Sequence, residues 1–389
     1  MNRDNPLLSG HDEPAQRLIG QAIALARELV EPQAAQWEHE RRLDRAALRE
    51  AAAAGLTSIQ VPRALGGQGA GFRCKAAVAA MLAKADFGFA MSLVNTHNVA
   101  AKVANEGSPA MVDRFLASLI STDRLGSTAL TEPDAGSDFA AIATRATPTT
   151  DGGWRIDGRK AWITNAAESD VLVVYAKTGA GEGGNAIASF LVDGRRDGFR
   201  RLPAAVLCGQ HTIGTGGFEL EHYQAAGDEL LAGAGQGFKA ALGSINGARI
   251  YIAAMCCAML ERALEIAHEF GLTRRSFGVP LMAHQGWRWR LAEASAELAA
   301  GWALVDGAAR ALEQSSSVMV AAAQAKIFAT RMAERHLPAM QHALGAAGLD
   351  DSLPLGRHLI GVQVAGFVDG STEMLLERVL AASRSSAGA

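Results

Sequence analysis

The chain has 389 residues, 49% hydrophobic and 20% charged, enough for a large core divided over two or three domains. With 37 basic against 40 acidic residues the net charge is -3, which argues against partners that are nucleic acids or anionic membranes. The longest strictly apolar run, Ile250 to Leu260, is far short of the roughly 20 residues of a bilayer span, so no transmembrane helix is expected. The segment MNRDNPLLSGHDEP lacks the cationic start and apolar stretch of a secretory signal, and the expected location is the cytoplasm. Cys74, Cys208, Cys256 and Cys257 show neither CxxC spacing nor the paired histidines of a zinc site; buried thiols, with no metal, are expected.

From Glu13 to about Ser121 the chain is alanine-rich with helical rhythm, as in Leu18, Ile23, Leu25 and Leu29, then Leu43, Leu48 and Leu56. VPRALGGQGAG interrupts the helices, its Pro62, Gly66, Gly67 and Gly69 marking a loop. Between about Leu125 and Leu231 the texture changes to short β-like runs, WRIDGRKAWIT, DVLVVYAKT, AIASFLVDG and FELEHYQ, separated by Asp-Gly and Gly-rich turns. The stretch GAGEGGN, residues 179–185, reads as a loop without chemistry, since it neither joins a strand to a helix nor keeps phosphate-loop spacing. After AGAGQGF, helices are expected near 238–270, 284–313 and 317–336, with shorter ones near 337–347 and 371–384. The fold class is therefore α+β: an N-terminal helical domain over 1–124, a middle antiparallel β domain over 125–232 and a C-terminal helical bundle over 233–389. That order excludes a doubly wound nucleotide fold, which alternates strands with helices.

Three segments stand out. ALTEPDAGSD, Ala129 to Asp138, is by itself a turn with a local Asx or Ser cap, and GRKAWITNA, Gly158 to Ala166, is by itself a half-buried strand. RRSFGVPLMAHQ places Arg274, Phe277, Gly278, Pro280 and Gln285 beyond the first long C-terminal helix. Together, in this order and domain context, they resemble the flavin-contacting motifs of the acyl-CoA dehydrogenase family, and the resemblance covers essentially the whole chain. It implies FAD as cofactor, with Leu130, Thr131 and Thr164 bonding the polar edge of the flavin, Trp162 walling it, and Ser137 near the flavin phosphates and the carrier of the thioester. It also implies that Arg274, Phe277 and Gln285 act on FAD held mainly by a neighbouring subunit, hence a homo-oligomer, dimer or tetramer. A guanidinium suits the pyrophosphate because its fixed fork engages phosphate oxygens.

The family's usual base is the glutamate of Tyr-Glu-Gly-Thr before the last helix; here the segment is VDGST, which puts Asp369 in that place and Ser371 and Glu373 in those of flavin-contacting neighbours. The alternative base position of some branches, just before an arginine, is Ala248 before Arg249. Aspartate is shorter than glutamate by roughly 1.5 Å of reach, and about 1 Å of misplacement costs on the order of a hundredfold in rate. Aspartate looks similar in nitroalkane oxidases and some dehydrogenase branches. The Gly-Gly-x-Gly of the family is Gly345 to Gly348 with two alanines, preceded by His342 in place of Gln, and its Arg-Asp segment is Ile360 to Gln363; both put adenine-side contacts and subunit packing in question. His342 reads as a satisfied helix residue, and Trp287 and Trp289 as packing or interface.

The implied function is FAD-dependent α,β-dehydrogenation of an acyl-CoA. Asp369 takes the α-proton, the β-hydrogen leaves as hydride to flavin N5, and an electron-transfer flavoprotein accepts the electrons. Three alternatives stand beside it: an acyl or aminoacyl dehydrogenase acting on an acyl-carrier-protein substrate, an oxygen-using enzyme like nitroalkane oxidase or a monooxygenase, and a non-enzymatic DNA-binding flavoprotein, which the near-neutral charge disfavours.

Overall fold

The computed structural model describes residues 5–179, 181–314 and 318–387, with side chains as far as Ala382. Aspartates open the N-terminal helices by accepting from the backbone one turn on. Asp12 bonds the Ala15 N–H at the start of α1 (Glu13–Leu25), Asp44 that of Ala47 in α3 (Arg45–Ala53), and Asp86 that of Phe89 in α5 (Phe87–Glu106). Between them lie α2 (Glu31–Glu40) and α4 (Phe72–Ala83), and the short α6 (Pro109–Met111) and α7 (Ala117–Ile120) follow. All twelve residues of α4 are buried, which explains its alanine content: small side chains let helices close in from every direction. Its two cations, Arg73 and Lys75, are buried with it; Arg73 pairs with Asp306 at 2.7 Å, whereas Lys75 has no such partner among the described residues.

The middle region forms a sheet of order β6-β7-β3-β2-β4-β5-β8, with β1 added beside β4. Its strands are β1 (Gly126–Ala129), β2 (Arg145–Pro148), β3 (Trp154–Ile163), β4 (Val171–Lys177), β5 (Ile187–Asp193), β6 (Phe199–Arg201), β7 (Gly216–Ala225) and β8 (Leu230–Ala232). Most pairings are antiparallel, but β1 lies parallel to β4, Gly126 opposite Val171, and β2 meets β4 in parallel at Arg145 and Lys177. A parallel pair needs a long return connection, which residues 130–170 with the β2–β3 hairpin supply.

The C-terminal region comprises α8 (Gln236–Thr273), a hairpin of β9 (Arg275–Ser276) and β10 (Val279–Pro280), then α9 (Gln285–Glu313), α10 (Met319–Ala343), α11 (Leu355–Phe367) and α12 (Thr372–Ala387). Three features differ from the sequence reading. The helices expected at 317–336 and 337–347 are one, α10, which runs through Pro338. Its buried face of Ala329, Ala333, Leu337 and Met340 stays in register across the proline, and burying that face outweighs one lost hydrogen bond. The helix α11 was not expected, because Gly356, Gly361 and Gly366 break its pattern; a Cβ at Gly361 would stand 3.2 Å from that of Phe87, so close packing on α5 calls for glycine there. Cys208 is also exposed rather than buried, unlike the other three cysteines.

Helices on either side of the β region share one core, with Trp37, Phe87 and Phe89 beside Met255, Trp302 and Leu337. A second cluster joins α5 to the sheet through Val99, Val103, Val173 and Tyr175. The helices α5 and α8 therefore touch both layers, and the candidate site is built around them.

Candidate active site

The segment Val368 to Ser371 joins α11 to α12. Val368 caps α11, and Asp369 then enters the left-handed region at φ 55, followed by Gly370 at φ 101. Asp tolerates that region better than most side chains, so an aspartate suits a helix end that turns in this way. Three successive carbonyls of the turn are held by two buried cations. Arg249 Nε of α8 donates to Asp369 O at 3.0 Å, and Lys326 Nζ of α10 donates to Gly370 O at 2.6 Å and to Val368 O. Lys326 is 1% exposed and Arg249 4%. Their burial pushes Lys326 down to about 8 and Arg249 down to about 10, against the pull of Asp369 on each.

With its carbonyls fixed towards the cations, the turn leaves the Asp369 N–H without an acceptor among the described residues. Burial raises the Asp369 carboxyl above its ordinary range, and Lys326 and then Arg249 restrain the rise. The residue keeps partial contact with solvent, as a group that must meet a substrate requires. Ala248, the other base position, is buried and has nothing to titrate. Ser371 accepts from Met374 N–H at 3.4 Å and Glu373 is exposed in the first turn of α12, so both have local capping positions. The Glu373 carboxyl is held below its usual range by its own N–H and then by Ser371.

The two β-domain segments are sutured together. Ala161 N–H donates to Thr131 O at 3.1 Å, and buried Lys160 donates to Leu130 O at 3.1 Å while pairing with Glu132 at 2.9 Å. Burial pushes Glu132 up, but Lys160, Thr144 and the Ala143 N–H outweigh it and hold the carboxyl below its usual range. Burial pushes Lys160 down to about 8. The β3–β7 register slips between Lys160 and Ile163, and within that slip Trp162 takes φ 60, leaving its indole 63% exposed. Thr164 O accepts from Ser127 Oγ at 2.7 Å. Asn165, also left-handed, donates through Nδ2 to Ser92 O at 2.9 Å, Gly126 O at 3.1 Å and Thr96 Oγ1 at 3.2 Å, tying the end of β3 to α5. Ser137 is exposed on the loop after the Glu132–Ala135 bridge.

Arg274, Phe277 and Gln285 lie elsewhere, at the far end of α8. Arg274 caps that helix, Phe277 sits at φ 52 with its ring 95% exposed at the tip of the β9–β10 hairpin, and Gln285 opens α9 in solvent. At about 1.5 Å rise per residue, Arg274 is roughly 37 Å along α8 from Arg249. The structure thus brings together Leu130, Thr131, Trp162 and Thr164, places Asp369, Ser371 and Glu373 in a second group, and leaves the hairpin residues remote from the Arg249 end of the same helix.

Three family models match in chain order: the acyl-CoA dehydrogenase N-terminal domain over residues 12–123, middle domain over 127–223 and C-terminal domain over 235–383. The short-chain specific acyl-CoA dehydrogenase of Megasphaera elsdenii is 31% identical across 76% of this chain and 77% of its own length. The chain belongs to the acyl-CoA dehydrogenase family. Solved acyl-CoA dehydrogenase folds agree: the butyryl-CoA dehydrogenase of M. elsdenii superposes with a TM-score of 0.91 at 27% identity, covering 96% of this chain and 98% of that one. A chain from work on the electron transferring flavoprotein of Acidaminococcus fermentans gives 0.91 at 26%, with the same coverage.

The acyl-CoA dehydrogenase motifs fit a flavin on the structure's own terms. An indole projected by a left-handed residue offers a flat apolar wall, and the half-exposed Thr131 and Thr164 beside it offer hydroxyls and main-chain groups for a polar ring edge. Sequence reasoning missed Lys326, Lys160, Glu132 and Asn165. A lone lysine in the apolar run VAAAQAKIFAT was the available signal for Lys326.

Proposed function

We propose that this chain dehydrogenates an acyl thioester, with Asp369 removing the α-proton. The observation that carries the proposal is the Asp369 turn: three successive carbonyls anchored by Arg249 and Lys326 fix the backbone from which one residue presents its carboxylate and its N–H. Burial makes the carboxylate more basic than in water, as a group that accepts a proton requires, while Lys326 and then Arg249 favour its ionised form. The same residue's N–H serves as a donor to the thioester oxygen as negative charge develops there; a preorganised donor of this kind contributes a few kcal/mol to the transition state. FAD held in this site would supply the two-electron acceptor for the β-hydrogen. Leu130, Thr131 and Thr164 orient the flavin edge, Trp162 excludes water, and Ser137, Ser371 and Glu373 line its periphery.

The long separation of Arg274 from Arg249 supports a homo-oligomer in which the hairpin of one copy completes the cofactor site of another. The substrate carrier is coenzyme A, and the electrons pass to an electron-transfer flavoprotein. Anaerobic titration of the FAD-loaded protein with acyl-CoAs and acyl carrier proteins tests the proposal. Bleaching of the flavin is expected, and its absence across the panel overturns the assignment. Hydrogen peroxide released at the rate of substrate consumption would favour an oxidase instead.

A further inference from the structure

Lys75 is a buried cation that the dehydrogenation does not use. Lys75 lies in the first turn of α4, 7% exposed, and has no ion-pair partner among the described residues. Its ammonium donates to Asn98 Oδ1 of α5 at 2.6 Å and lies 5.2 Å from the Tyr251 ring of α8 and 5.7 Å from that of Phe72. Asn98 Nδ2 in turn donates to the Tyr251 hydroxyl at 3.3 Å. Burial alone pushes Lys75 down, to about 7, with no carboxylate pulling the other way. A buried ammonium is costly unless paired, and Arg73, two residues away, shows how α4 handles such a charge when the partner belongs to the fold: Asp306 supplies it.

The place of this cluster gives it meaning. Tyr251 is two residues beyond Arg249 on α8, the arginine that holds Asp369 O at 3.0 Å, and burial and then Asp369 raise the Tyr251 hydroxyl, so the Lys75 group lies within electrostatic reach of the base. Gly247, one turn before Tyr251, faces Phe72, where a Cβ would stand 3.1 Å from the ring. Lys75 has two further N–H bonds, and the Tyr251 O–H has no acceptor among the described residues. Asn98 alone of the three keeps partial contact with solvent.

We propose that Lys75, Asn98 and Tyr251 form a subsite for a carboxylate borne by the acyl group, so that the substrate is the monothioester of a dicarboxylic acid. The inference rests on the dehydrogenase reading and adds the acyl class to it. The carboxylate takes the two open Lys75 donors and the tyrosine hydroxyl, while the Phe72 ring covers the intervening methylenes. The dehydrogenation balances as before: the α-proton goes to Asp369, the β-hydride to FAD, and the distal carboxylate keeps its charge throughout.

The test uses FAD-loaded protein and anaerobic stopped-flow reduction by length-matched pairs, glutaryl against pentanoyl and adipoyl against hexanoyl thioesters, each on coenzyme A and on acyl carrier protein. The parent is expected to reduce with the carboxylated member of at least one pair ten times or more as efficiently, and Lys75→Met to lose or invert that preference. Equal or better reduction by the alkyl members of both pairs in the parent overturns the subsite without touching the dehydrogenase assignment, and needs no variant to fold. A preference that survives Lys75→Met overturns the role of Lys75. Reduction by neither class overturns the dehydrogenase reading and this inference with it.

Discussion

Replacing Lys326 by Met separates what the cation does for the base from what it does for the fold. The substitution keeps the length of the side chain and removes the donor to two carbonyls, Val368 O and Gly370 O. A buried carbonyl left without a donor costs about 1 to 3 kcal/mol. Both bonds are only part-buried, so the expected loss of stability lies at the low end, about 2 to 3 kcal/mol in total. The turn that presents Asp369 would then be held by Arg249 alone, and displacement of the carboxylate by about 1 Å would slow flavin reduction on the order of a hundredfold. A second effect is electrostatic. Burial raises the Asp369 carboxyl and Lys326 is the larger of the two restraints on it, so its removal raises the carboxyl further. A protonated carboxyl cannot accept the α-proton, hence the acid limb of the pH–rate profile moves to higher pH. Lys326→Arg keeps the charge and should return the limb towards the parent even where the rate is not restored. Anaerobic flavin reduction measured across pH reads both effects, and an acid limb unmoved at the parent rate in Lys326→Met would refute the clamp.

Other consequences follow from the β domain and the hairpin. Glu132 is held below its usual 4.5 in the folded chain, so the unfolded chain takes up the proton first; its stabilising effect is present above about 4.5 and is lost as the pH falls through the lower folded value. Glu132→Gln should therefore cost about 3 kcal/mol at neutral pH and converge with the parent in acid, and denaturation curves that stay parallel with pH would contradict the assignment. Arg274 is exposed, so Arg274→Ala should leave thermal stability unchanged while weakening FAD retention; unchanged flavin affinity would return it to an ordinary helix-end arginine.

How much of this was legible in the sequence depends on how local each signal is. The Trp162–Thr164 strand and the turn at Asp369 could be read because their residues are contiguous and their conformations are carried by side chains on the spot. The cations that hold the turn could not: Lys326 bonds carbonyls 42 and 44 residues away and Arg249 one 120 residues away, and a carbonyl leaves no mark on a sequence. The suture between the β segments hid for the same reason, since Lys160 reaches back 30 residues to Leu130 O. Glycines concealed α11, where Gly361 serves packing rather than a turn. Lys75 was lost in an alanine-rich helix whose complete burial depends on neighbours from three parts of the chain.

The most direct test of the central claim is stopped-flow reduction of FAD in Asp369→Asn. The amide preserves size and suits the left-handed backbone, so the turn and the bound flavin should persist while the base is gone. The flavin is expected to stay bound and to be reduced about 10² to 10⁴ times more slowly, the usual contribution of a positioned general base. Reduction at the parent rate would show that Asp369 only closes a turn and that the proton is removed elsewhere.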